Sequence, residues 1–73
     1  MKYCISVINN LKEIREVKQY SQLELADLAG TTANTIEKIE SGEFEPPLLL
    51  CLELAKILEV RVENIWKLAK AKC

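Results

Sequence analysis

The residues best suited to chemistry in this sequence follow Gly30: Thr32, Ala33, Asn34, Thr35 and Lys38. An asparagine carboxamide donates and accepts at once, so it can pair bidentately with an adenine edge. A lysine ammonium can donate to guanine, and an alanine methyl can rest on a thymine methyl. Gln22, ahead of the glycine, can meet a phosphate alongside backbone N–H groups. Each has an ordinary alternative. Thr32 is a good helix cap with no ligand present, and Asn34 and Lys38 are residue types found on any solvated surface. The set acquires meaning only if one projecting face carries it.

The surrounding pattern predicts such a face. Ser21 with Glu24 three residues on makes a capping box. Leu23, Leu25, Ala26, Leu28 and Ala29 supply a buried face for the helix that follows. Gly30 ends that helix, because a left-handed conformation costs glycine little. Thr32 then caps a second helix running to about Ser41, with Ile36 and Ile39 turned inward and Gly42 as its stop. Two short helices crossing steeply over a tight turn leave the second one projecting, and its first residues can reach base edges.

The flanks must hold this pair in place. Residues 2–8 are β-branched and aromatic and predict a short strand. Asn10 and Glu13 suggest a capped helix over 10–19, with Leu11, Ile14 and Val17 as its apolar stripe and Lys12, Arg15 and Lys18 as its cations. After the loop 43–47, Pro47 suits the first position of a helix over 47–58. Leu48, Cys51, Leu52, Ala55 and Leu58 are expected as its core face. Leu49 and Leu50 fall off that stripe and are assigned to contact with a second copy of the chain, the alternative being simple extra core. From Val62 to Leu68 the chain reads as a short helix, or as a helix turning into a strand, anchored by Ile65 and Trp66. Residues 3–8 can pair antiparallel with 65–70; the competing arrangement is a helix over 62–70 with Trp66 plugging the core.

Composition bounds the rest. The 73 residues predict a single domain, 1–73, with a core over about 10–66. A formal net charge of −1 means that bulk charge cannot grip a polyanion; affinity has to come from a local basic patch, helix N-termini and dimerisation. The cysteines Cys4, Cys51 and Cys73 are odd in number and no histidine is present. Their spacing fits neither a disulfide framework nor a zinc site, and they are expected as reduced thiols in a cytoplasmic protein. No apolar run approaches the roughly 18 residues of a membrane span, and no secretory leader is visible. No metal or cofactor is expected. The lack of histidine and of a Gly-rich phosphate loop argues against an enzyme.

The stretch Leu11–Trp66 resembles the Cro/phage-repressor-type helix-turn-helix domain, the xenobiotic-response-element family. Leu11-Lys-Glu-Ile-Arg-Glu16 matches its first helix, Ser21-Gln-Leu-Glu-Leu-Ala26 its second, Gly30 to Gly42 its turn and recognition helix, and Pro46–Val60 and Val62–Trp66 its last two. The resemblance implies an all-α, compact five-helix domain, to which the residues above would add a short two-stranded antiparallel pairing of the ends. It implies binding to double-stranded operator DNA as a homodimer. Gln22, Thr32, Ala33, Asn34, Thr35 and Lys38 fall on its contact positions, and Arg15 and Glu40 where helix 1 often pairs with the end of helix 3. The sequence departs from the pattern at Ala33, at Glu43 and at Glu59, the last of which replaces a customary glycine.

The expected function is sequence-specific transcriptional regulation, as a repressor on a near-palindromic operator. A signal would then be expected through a partner protein, through the protein's own concentration or through thiol chemistry, because the chain ends just past the fold. The alternative is a protein-binding module, an antitoxin or bridging partner, which the acidic balance and Leu49 and Leu50 favour.

Overall fold

Local end signals set most of the seven elements. A computed structural model describes residues 3–72, with side chains described over 7–68. The order is β1 (Tyr3–Asn9), α1 (Leu11–Val17), α2 (Gln22–Ala29), α3 (Ala33–Ser41), α4 (Leu48–Leu58), α5 (Val62–Ile65) and β2 (Trp66–Lys72). β1 and β2 form a two-stranded antiparallel ribbon in which Tyr3 faces Lys72 and Asn9 faces Trp66. The terminal segments therefore pair, one residue further along than expected at the β2 start, and the competing helix over 62–70 is replaced by strand after Ile65.

The helices close over one core: Leu11 from α1, Leu25, Ala26 and Ala29 from α2, Ile36 and Ile39 from α3, Leu54, Ala55 and Leu58 from α4, and Ile65 from α5. Burial of this apolar surface is what holds the short helices, since none is long enough to persist alone. Gly30 (φ +73°) and Gly42 (φ +85°) take the left-handed conformation that ends α2 and α3.

Several sequence expectations need correction. α1 ends at Val17, not at residue 19, because Gln19 turns the chain with φ +65°. Val17 is 78% exposed, and Arg15, not Val17, takes the inward position. Asn10 makes no capping bond; Asn9 Oδ1 accepts from the Leu11 N–H (2.9 Å) instead, while Asn10 Nδ2 donates to the Asn64 carbonyl (3.3 Å). Leu23 and Leu28 are exposed, since Leu25, Ala26 and Ala29 alone fill the inward side of α2. Pro47 precedes α4 as its cap residue.

On α4 the inward stripe is rotated. Leu48 (73%) and Leu52 (49%) are exposed along with Leu49 (70%), while Leu50 packs partly against the core and Leu54 is buried. Cys51 is a half-buried free thiol whose Sγ donates to the Pro46 carbonyl (3.6 Å); burial pushes its pKa up. The thiols of Cys4 and Cys73 lie outside the described side chains.

Glu59 ends α4 in the left-handed region, φ +58°, where a glycine would be unstrained. Glu59→Gly is expected to raise stability by up to about 1 kcal/mol, the relieved strain being partly offset by the freer unfolded chain. Thermal unfolding of the variant checks this; an unchanged or lower midpoint would show that the turn carries no strain.

Candidate DNA-reading face

The site is built from its caps. Ser21 Oγ accepts from the Glu24 N–H (3.0 Å), and the Ser21 N–H donates to Glu24 Oε1 (2.9 Å). That reciprocal pair fixes the start of α2. The backbone bond from Ser21, with the hydroxyl's contribution behind it, holds the Glu24 carboxyl below its ordinary pKa. After Gly30, the Thr31 N–H reaches back to the Ala26 carbonyl (2.9 Å) and redirects the chain. Thr32 Oγ1 accepts from the Thr35 N–H (3.2 Å) and lies 2.9 Å from Thr35 Oγ1, so both threonines secure the first turn of α3.

Ile36 and Ile39 are fully buried and set the rotation of α3. Helical spacing then places Asn34 and Lys38, four residues apart, on the opposite side, and both are exposed. Ala33 and Thr35 flank that side half-buried. Glu37 and Ser41 complete the outward face, and four-residue spacing from Ala33 is the sequence signal that finds them.

Beneath this face lies a polar clamp. The Arg15 Nε donates to Glu40 Oε2 (2.6 Å), its Nη2 to Glu40 Oε1 (3.3 Å), and its Nη1 to the Tyr20 carbonyl (2.8 Å). Glu40 Oε1 also accepts from Gln22 Nε2 (3.0 Å). The hydrogen bond to Glu40 raises the Arg15 pKa, so the guanidinium is charged at any working pH. One carboxylate thus ties α1, the start of α2 and the end of α3. Gln22 is half-buried in this network and keeps only part of its donor capacity for a phosphate. Lys12, Gln22, Glu37, Glu40 and Ser41 line a shallow groove beside α3. Among the described residues no cluster of His, Cys, Asp or Glu could hold a metal, and no helix is long and apolar enough to cross a membrane.

A capped helix pair with its second member outward, set by a clamp below, defines a helix-turn-helix protein. The helix-turn-helix family model matches residues 11–65, and the chain belongs to that family, of Cro/phage-repressor type. It is a DNA-binding transcription regulator. Its structure is similar to that of the restriction-modification controller protein C.AhdI from Aeromonas hydrophila, with TM-score 0.72 and 31% identity over 75% of this chain and 83% of the other. None of the curated proteins matches the chain significantly.

Proposed function

We propose that the protein is a sequence-specific repressor that binds a near-palindromic operator as a homodimer, reading bases with Asn34 and Lys38. The observation that carries this reading is the exposure of both side chains on the outward face of α3, opposite Ile36 and Ile39. The likeness to a restriction-modification controller supports a regulatory role. Ala33 adds a methyl contact and Thr32 and Thr35 orient the helix end, while Gln22 and the free N–H groups at the start of α2 face the phosphates.

The homodimer reading is supported by α4. Leu48, Leu49 and Leu52 form one exposed stripe, larger than scattered surface leucines require. Leu50, half-buried against the protein's own core, adds at most an edge to it. A two-fold axis there would present two copies of α3 to half-sites about one DNA turn, roughly 34 Å, apart. Leu49→Glu should leave the fold intact, since the residue is 70% exposed, yet yield a monomer by sedimentation and weaken operator binding by roughly a hundredfold. A variant that stays dimeric would move the interface elsewhere.

The direct test is selection of bound duplexes from a random pool. A palindromic consensus whose capture falls steeply with salt is the expected result. No salt-sensitive retention on DNA would favour the protein-binding alternative, in which the acidic balance and the leucine stripe serve a protein partner.

A further inference from the structure

We infer that Glu37 selects cytosine within the operator, so that part of the protein's specificity comes from a carboxylate on its reading helix. This rests on the DNA-reading assignment above and adds a residue to it. Glu37 is exposed and lies four residues from Ala33 and from Ser41 and three from Asn34, on the same side of α3. Its carboxylate has no ion pair or hydrogen bond among the described residues, whereas Glu40, one turn on, is consumed by Arg15 and Gln22. Lys12 is the one cation lining the shallow groove that Glu37 shares, and the two lie beyond ion-pair distance.

An uncompensated carboxylate on this face must approach a duplex that carries a negative charge about every 1.7 Å. With a net charge of −1 the chain has no surplus of cations to mask it. The approach is tolerable only where the carboxylate meets a donor. Guanine offers N7 and O6, both acceptors, and thymine offers O4 and a methyl. Adenine places its N6 donor beside the N7 acceptor, which repels the second carboxylate oxygen. Cytosine N4 is a donor with no adjacent acceptor on its open side, and is the edge a carboxylate fits. Glu37 therefore penalises other bases more than it rewards cytosine, a discrimination achieved by unpaired charge. Lys38, its neighbour, can serve a nearby guanine.

The experiment is parallel selection from a randomised duplex pool with the wild-type protein, Glu37→Gln and Glu37→Ala, each checked for an unchanged melting profile. The wild type should require cytosine at one position per half-site. Glu37→Gln should move that position towards adenine, leave the other positions unaltered, and bind the wild-type site about tenfold more weakly. Glu37→Ala should accept any base there. If the wild type yields a consensus and both variants yield the same one, or merely bind every sequence more tightly, Glu37 is a bystander charge and this inference falls while the regulator reading stands. If the wild type yields no consensus, both fall together.

Discussion

Arg15→Ala is expected to cost about 3 to 5 kcal/mol of folding stability. The variant strands Glu40, whose side chain is only 5% exposed, with Gln22 as its sole partner, and it frees the Tyr20 carbonyl as well. A small domain has about 5–15 kcal/mol in hand, so the loss removes a large share of the total, and near the lower end of that range it leaves a sizeable unfolded fraction and weakens DNA binding indirectly. The paired charges need not be net stabilising, because taking both out of water is itself expensive. The double variant Arg15→Met, Glu40→Met should accordingly recover most of the lost stability. Denaturant unfolding of Arg15→Met, of Glu40→Met and of the double variant closes the cycle and reads this as a coupling energy. Single variants within 1 kcal/mol of wild type (roughly the value of an exposed pair) would show that the clamp is solvated.

Asn34→Ala and Lys38→Ala should each weaken operator binding by about 1–3 kcal/mol and relax base choice at one position. Both residues are exposed, so folding stability should stay within about 0.5 kcal/mol of wild type. Titration against the selected operator and its single-base variants separates two modes for Lys38. A loss confined to one base marks an edge contact; an even loss with a shallower salt dependence marks a phosphate contact. Operator affinity untouched by both substitutions would mean that α3 does not carry the reading face.

Short-range signals in the sequence carried most of the site. The Ser21 and Thr32 caps, the Gly30 and Gly42 stops and the inward Ile36 and Ile39 each depend on residues within one or two turns, and all appear as the pattern predicts. What misled depends on distant partners. Helical periodicity put Val17 on the core side, but Arg15 takes that place to reach Glu40, 25 residues on, a pairing that only the family resemblance implied. Gln22 looks free in the sequence and is held by Glu40, 18 residues on. On α4 leucines occur on nearly every side, so periodicity has no unique phase; docking against α2 decides that Leu54 goes in and Leu48 and Leu52 stay out. The strand after Ile65 competes with a helix-compatible Lys- and Ala-rich sequence, and only pairing with β1 resolves the contest.

The ribbon joins Tyr3 to Lys72, nearly the full contour of the chain. Closing so large a loop early in folding gains little and sacrifices chain entropy, whereas the helices can assemble through nearer contacts. The bond from the Asn10 N–H to the Ile65 carbonyl (2.8 Å) sits where the strands leave the helical body, and gives the point from which they can zip outward once that body has formed. A two-stranded ribbon is marginal by itself. It should therefore be last to form and first to fray, exchanging its amide protons well before the helical core opens.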